Sequence, residues 1–241
     1  MSGRQRGTLY GVGVGPGDPK LLTLRAVEVL QAVEVVFAAG STKNEYSLAL
    51  NIARGHLGAG VEVRRLDFPM TQDRRALESA WQDNARQVLE VLDSGRDAAF
   101  VTIGDPLTYS TFCYLLRTVR ELDPQARVET VPGITAYHAA AARLNLPLVE
   151  SKESLLVVSG VSDPAEIPHL ARCSHNLVIL KTYRNYDQII DQLEQLPRRR
   201  PAYLVSQCCL PGERIESDAY ALKGQKMPYL SLLLVKSSGE G

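Results

Sequence analysis

Short apolar runs alternate with helical patterns through the first half of the chain, and this alternation limits the fold more than any other feature. Leu9–Val14, Val35–Ala38, Val61–Leu66, Ala98–Ile103 and Val128–Val131 read as strands. Helical patterns lie between them. Asp18-Pro19 opens one, with Asp18 as N-cap and Pro19 at the first helical position, and Leu22, Ala26, Val29, Leu30 and Val33 recur on one face. Residues 45–57 read as a second helix. A long amphipathic helix from about Arg74 to Asp93 offers Leu77, Trp81, Val88 and Leu92 to a core. A fourth runs through Leu115, Leu116 and Val119. Such a β-α-β-α succession calls for crossover connections and a mostly parallel sheet covered by helices.

The second half restarts with an Ala-rich helix, Thr135–Leu144. Strands follow at Leu155–Ser159, Leu177–Leu180, Tyr203–Ser206 and Tyr229–Val235, with a helix at Ile189–Leu196 that Pro197 ends. The chain's 241 residues can form one large or two smaller domains. Pro132-Gly133 marks the boundary between an N-terminal α/β domain over 6–131 and a C-terminal one over 132–241. Arg198-Arg199-Arg200, before Pro201, reads as a solvated turn.

Charge narrows the partners. Lys plus Arg is 27 and Asp plus Glu is 27, whereas a general polyanion binder carries excess positive charge, so no nucleic-acid partner is expected. The longest apolar run near the C-terminus, Leu230–Val235, is short and interrupted by Ser231, far below a bilayer span. Arg4 and Arg6 are followed by Gly and Pro rather than an apolar signal core. A cytoplasmic protein without membrane contact is expected. Cys113, Cys173, Cys208 and Cys209 form no CxxC and no disulfide framework. The adjacent Cys208-Cys209 suits neither zinc spacing nor a redox pair, although position alone could bring Cys208 to a ligand. His56, His138, His169 and His175 lack metal-ligand spacing, so no protein-bound metal is expected. There is no GxSxG elbow.

Three loops carry the chemistry. Gly11-Val12-Gly13-Val14-Gly15-Pro16-Gly17-Asp18 fails the dinucleotide pattern GxGxxG, because the sixth position is Pro16 or Asp18. Pro16 has no N–H to offer, and Asp18 repels a pyrophosphate. A P-loop lacks its GK[ST]. The loop suits close approach of a ligand to backbone and equally suits a tight strand-to-helix turn. Gly104-Asp105-Pro106 sits at the carboxyl end of a strand, the edge where open α/β sheets bind ligands. It is open to a cationic ligand group and also to a plain capping turn, but the hydroxyl run Thr108-Tyr109-Ser110-Thr111 is unusual for the latter. In Val131-Pro132-Gly133-Ile134-Thr135-Ala136 the Thr135 hydroxyl reads as an N-cap or a ligand contact.

Taken together, GVGVGPGDPKLLT at 11–23, GDPLTYSTF at 104–112 and VPGITAYHAAAARL at 131–144 resemble the tetrapyrrole (corrin and porphyrin) methylases, and the resemblance covers essentially the whole chain. Phe68-Pro69-Met70, Arg184-Asn185 and Pro228-Tyr229 resemble the subgroup that methylates C20 of precorrin-2 or cobalt-factor II in cobalamin biosynthesis. The resemblance implies two α/β domains with S-adenosyl-L-methionine (SAM) in a cleft between them, unlike the usual Rossmann methyltransferase. It also implies S-adenosyl-L-homocysteine as product and a homodimer. By position, Pro16 faces the cofactor. Gly104, Asp105 and Pro106 line its methionine end, with Asp105 near the ammonium, and Tyr109, Ser110 and Thr111 continue that wall. Thr135 and Ala136 contribute from the linker. Thr182, Tyr183 and Cys208 fall where the family holds adenine, and Pro228, Tyr229 and Leu230 close the pocket. Relatives often have Met after the strand read at 177–180, where this chain has Lys181-Thr182-Tyr183.

The reaction implied is direct methyl transfer to an electron-rich meso carbon. Alignment and exclusion of water are the main tasks, and good alignment is worth about 7–11 kcal/mol. Tyr109, Lys181 and Arg184 are the candidates near the chemistry. The substrate's carboxylates call for basic residues, drawn from Lys43, Arg54, Arg64, Arg74, Arg75, Lys181 and Arg184. Cobalt, where present, arrives with the macrocycle. Methylation of uroporphyrinogen III or of another corrin carbon is the alternative within the family. A nucleotide-dependent oxidoreductase lacks its glycine pattern, and a non-catalytic scaffold would have no use for three ligand-suited loops.

Overall fold

The first sheet is wholly parallel. A computed structural model describes residues 6–40 and 47–237, and its contacts divide the chain into two units that meet between Thr135 and Ala136. In the first unit β1 (Thr8–Gly13), β2 (Val35–Gly40), β3 (Glu62–Asp67), β4 (Ala98–Thr102) and β5 (Arg127–Val131) lie in the order β3-β2-β4-β1-β5. Every pairing is parallel. β2 and β4 bury both faces, with Val35, Val36, Phe37, Ala98, Ala99 and Phe100 fully enclosed. Strands covered on both sides by helices must be apolar throughout.

Alternation along those strands sorts the two faces. α1 (Leu24–Ala32) and α2 (Leu48–Ala53) bury Val29, Leu30, Ile52 and Ala53 against Val12, Val36 and Val101. α3 (Arg74–Asp93) and α4 (Phe112–Leu122) bury Val88, Leu92, Phe112 and Leu115 against Leu9, Phe37 and Phe100. β1 therefore leads to a helix on one face, and its neighbour β4 to a helix on the other. That is the switch point where an open α/β sheet carries its ligand.

Details differ from the sequence reading for local reasons. Asp18 and Pro19 start only a 3-10 turn, Pro19–Leu21, which Asp18 closes by accepting from Lys20 N–H at 2.9 Å. Leu22 is extended, so α1 begins later, capped by the Thr23 hydroxyl, which accepts from Ala26 N–H at 3.1 Å. The helix read at 45–57 is α2 followed by a 3-10 turn at Arg54–His56, its first residues lying outside those described. α3 has the expected bounds, but Leu77 and Trp81 are only half-buried. A helix of 20 residues spans about 30 Å against about 17–20 Å for the strands beneath it, so its first turns overhang the sheet. Trp81 stacks instead on Tyr114, rings 4.6 Å apart.

The second unit opens with α5 (Ala136–Leu144) and holds a mixed sheet. β6 (Leu155–Ser159), β7 (Asn176–Leu180), β8 (Ala202–Ser206), β9 (Arg214–Glu216) and β10 (Ser231–Val235) lie in the order β6-β7-β10-β8-β9. Only β6 and β7 are parallel. α6 (Ile167–Cys173) and α7 (Tyr186–Glu194) bury Ile167, Ala171, Ile189 and Leu193 against Leu177, Ile179, Leu204 and Leu233. α6 and β9 are too short, at 7 and 3 residues, to leave a periodic signal. Among the described residues no helix is long and apolar enough to cross a membrane.

The arginine run is not simply solvated. Arg200 donates to the carbonyls of Ala171 at 2.6 Å, Ser174 at 3.2 Å and His175 at 2.9 Å. A helix end leaves such carbonyls without intrahelical partners, and the guanidinium fork satisfies three at once. Arg199 lies over the Tyr220 ring, 4.0 Å from its centre.

Glu153 ties the chain before β6 to the end of β10. Its carboxylate accepts from Asn176 Nδ2 at 2.8 Å, Glu150 N–H at 3.0 Å and Ser237 Oγ at 3.2 Å, with Lys236 Nζ at 3.5 Å. The Asn176 bond is the largest cause holding its pKa down, from 4.5 to about 2. A carboxylate with a depressed folded pKa stabilises the fold above its unfolded value and loses that contribution as pH falls through the folded one. Urea midpoints of the wild type should therefore fall between about pH 4.5 and pH 2 by more than those of Glu153→Gln. Parallel midpoint curves for the two proteins across that window would refute the linkage.

Candidate functional site

The carboxyl ends of β1, β4 and β5 are locked together by backbone. Gly15 and Gly104 form an antiparallel bridge, Gly104 N–H donating to Gly15 O at 2.8 Å and Gly15 N–H to Gly104 O at 3.3 Å. Both have positive φ, 75° and 70°, a region that side-chain-bearing residues rarely adopt. A Cβ on Gly13 would stand 2.5 Å from Gly104 O and 2.7 Å from Gly133 N. The glycines of this loop serve contact between chain segments, and the pattern of a dinucleotide loop is not required for that.

Asp105 completes the lock. Its Oδ1 accepts from Leu107 N–H at 2.9 Å and Thr108 Oγ1 at 3.1 Å, and its Oδ2 from Gly133 N–H at 3.2 Å. A carboxylate has about four acceptor directions, so one on Oδ2 remains for a further donor. The hydroxyl run divides its labour. Ser110 is buried, donates to Thr102 Oγ1 at 3.0 Å and accepts from Phe112 N–H at 3.1 Å, which starts α4. Tyr109 is exposed and holds φ 52°, a conformation that costs energy in a non-glycine residue and clusters at functional sites. Pro16 is buried, Gly104 and Pro106 likewise, while Thr111, Thr135 and Ala136 are half-buried.

A second cluster forms at one edge of the second sheet. β7 and β8 both run antiparallel to β10, so their last residues meet its first. Thr182 N–H donates to Ser231 O at 3.2 Å and Gln207 N–H to Leu230 O at 2.8 Å. The residue after each strand, Lys181 or Gln207, has positive φ, 57° and 49°. Thr182, Tyr183, Cys208, Pro228, Tyr229 and Leu230 are thereby gathered. The rings of Tyr183 and Tyr229 lie 5.1 Å apart, and Arg184 Nε donates to Tyr183 Oη at 2.9 Å. Burial pushes the Cys208 thiol up, which keeps it protonated. The hydroxyls of Ser159, Thr182 and Ser206 are buried without a hydrogen-bond partner among the described residues. Each ends or follows a strand at this edge, and buried hydroxyls are ordinarily satisfied.

A model of the tetrapyrrole (corrin/porphyrin) methylases matches residues 8–221. The chain belongs to this family. It is 33% identical over 235 residues to a cobalt-precorrin-2 C(20)-methyltransferase of Salmonella typhimurium, spanning 97% of this chain and 98% of that one. A precorrin-2 C(20)-methyltransferase of Sinorhizobium sp is 31% identical, over 98% of this chain and 97% of that one. Among solved structures, the uroporphyrin-III C-methyl transferase from Thermus thermophilus complexed with S-adenyl homocysteine superposes with a TM-score of 0.66 at 26% identity, covering 95% of this chain and 97% of that one.

For a tetrapyrrole methylase these two clusters are the places to look, and sequence patterns did not give all their members. Gly13 and Gly133, which the sequence places within two of the three loops, act through close packing; Ser159 and Ser206, whose only signal was a polar residue closing an apolar strand, carry hydroxyls without a partner among the described residues. Of the basic candidates, Arg64 and Arg74 are held by Glu62 at 2.6 Å and Glu78 at 2.8 Å, as solvated surface pairs. Arg54, Arg75, Lys181 and Arg184 are exposed, and Lys43 lies outside the described residues.

The backbone lock sets a steric test. A Cβ on Gly133 would meet Gly104 O at 2.1 Å and Gly13 C at 2.8 Å, whereas one on Gly55 meets nothing within 4 Å. Gly133→Ala should lower the urea unfolding free energy by about 1–3 kcal/mol, with Gly55→Ala within about 0.5 kcal/mol of the wild type. Equal midpoints for the two variants would show that the three loops are not held by this contact.

Proposed function

We propose that this chain transfers a methyl group from SAM to C20 of precorrin-2 or cobalt-factor II in cobalamin biosynthesis. The observation that carries the reading is likeness along essentially the full length to two enzymes named for that reaction. One of the names includes cobalt and the other does not, so the likeness leaves both substrates in play.

The residues present suit SAM on two counts. Three buried hydroxyls, those of Ser159, Thr182 and Ser206, lack partners among the described residues at the edge of the second sheet. In the first unit, glycines at 13, 104 and 133 leave bare backbone where side chains would otherwise stand. When bound, SAM supplies an electrophilic methyl group. Gly104, Asp105 and Pro106 would line its methionine end, with the open direction on Asp105 Oδ2 toward the ammonium. Pro16, Tyr109, Ser110, Thr111, Thr135 and Ala136 would continue that wall. Thr182, Tyr183 and Cys208 would hold the adenine, with Pro228, Tyr229 and Leu230 closing over it. Lys181 and Arg184 would meet substrate carboxylates, each exposed pair contributing only about 0–1 kcal/mol, so that orientation comes from several together. The acceptor carbon is electron-rich, and these residues act by alignment and exclusion of water rather than through a strong base. We also place the enzyme in the cytoplasm, which four free thiols support, and as a homodimer, which rests on the family resemblance.

The test is turnover with SAM and precorrin-2, cobalt-factor II or uroporphyrinogen III, the methylated carbon being assigned by NMR. A new methyl at C20 of either of the first two is expected, and the one consumed identifies the branch. Methylation at any other carbon, or of uroporphyrinogen III alone, would overturn the assignment.

A further inference from the structure

The turn after β8 brings together two thiols and a carboxylate; the methyl-transfer reading places Cys208 beside the adenine by position and gives neither its thiol, nor Cys209, nor Glu213 a chemical role. We propose that this turn binds a thiophilic divalent cation such as Zn2+, with Cys208 Sγ, Cys209 Sγ and the Glu213 carboxylate as ligands. One donor atom from each lies within 4.8 Å of the others.

Adjacent cysteines in an extended chain point to opposite sides and cannot share an ion. Here the backbone turns: Gln207 has φ 49° and Cys209 φ 60°, and the two sulfurs stand 3.7 Å apart. Two thiolates on one tetrahedral Zn2+, each about 2.3 Å from the metal, are separated by about 3.8 Å. The sulfurs are thus already at the spacing such an ion imposes. Glu213 follows four residues on, which is why a search for paired CxxC or HExxH spacing passes over the set.

The carboxylate is held as a ligand needs to be. Glu213 Oε1 accepts from Cys209 N–H at 2.7 Å, and Oε2 from Arg143 Nε at 2.9 Å. Hydrogen bonds behind a ligand fix its orientation at metal sites. Charge closes as well. Binding the ion releases both thiol protons to solvent, and the resulting two thiolates and one carboxylate carry three negative charges, which a divalent ion and the Arg143 guanidinium offset. Without an ion, the thiols hydrogen-bond to each other at 3.7 Å and the Cys208 thiol to Glu213, so the same three groups that would ligate the metal already lie in contact. Cys208 is buried and Cys209 half-buried, so the site is sheltered on one side and open to solvent for entry and for a fourth, water ligand.

The experiment is titration of the reduced, chelator-treated full chain with Cd2+, followed by its ultraviolet thiolate-to-metal charge-transfer band, then displacement by Zn2+. One equivalent should bind. Cys209→Ser should abolish the band, and Glu213→Gln, which keeps the size and an acceptor oxygen, should weaken binding roughly tenfold or more. Cys173→Ser should change nothing, although Cys173 Sγ lies 3.6 Å from His169 Nε2 and forms the rival pair. No band, a band that survives Cys209→Ser, one lost in Cys173→Ser, or affinity unmoved by Glu213→Gln would each overturn the three-ligand site.

Discussion

Backbone packed against backbone at Gly13, Gly104 and Gly133 is the constraint on which the first unit's chemistry depends. Three parallel strands end side by side, and their connections must leave the sheet through the same space. Side chains there would collide: a Cβ at Gly13 or Gly133 would come within 2.5 Å of the Gly104 carbonyl. Removing them lets the loops touch directly, through the Gly15–Gly104 bridge and the bond from Gly133 N–H to Asp105. Bare peptide groups are left at the carboxyl ends of β1 and β4, where helices depart to opposite faces. Asp105 thus works first as a clamp, with acceptor capacity left over.

The second unit reaches a comparable end by other means. Its antiparallel β10 receives the ends of β7 and β8 at its own start, so residues far apart in the chain arrive at one sheet edge. Positive φ at Lys181 and Gln207 turns the chain sharply there, and buried hydroxyls remain without partners among the described residues. Strain and unspent hydrogen bonds concentrated in one place are ordinarily removed unless a function keeps them. The Cys208-Cys209-Glu213 turn belongs to the same edge and gives that strain a second use.

Much of this was legible in the sequence, for identifiable reasons. Strands enclosed on both faces, such as Val35–Ala38 and Ala98–Ile103, announce themselves as unbroken apolar runs, and the parallel sheet follows from their alternation with helices. The three loops were visible because glycine, proline and hydroxyl residues mark turns. The start of α1 was not, because Asp18 and Thr23 are both good caps and only the extended Leu22 decides between them. α6 and β9 were too short for periodicity. The capping role of Arg200 depends on α6, and so was hidden with it. Ser206 acquires meaning only from neighbours distant in sequence, and Glu213 from a tight turn that no standard spacing pattern encodes.

Under the proposed function, the loops at 104–111 and 132–135 of the first unit and the strand ends near Thr182 and Cys208 of the second are each expected to contact the cofactor. Amide hydrogen exchange with and without S-adenosyl-L-homocysteine tests it directly. Slowed exchange is expected in those segments, with exchange unchanged along the exposed side of α3. Protection confined to other segments, with the product shown to be bound, would contradict it.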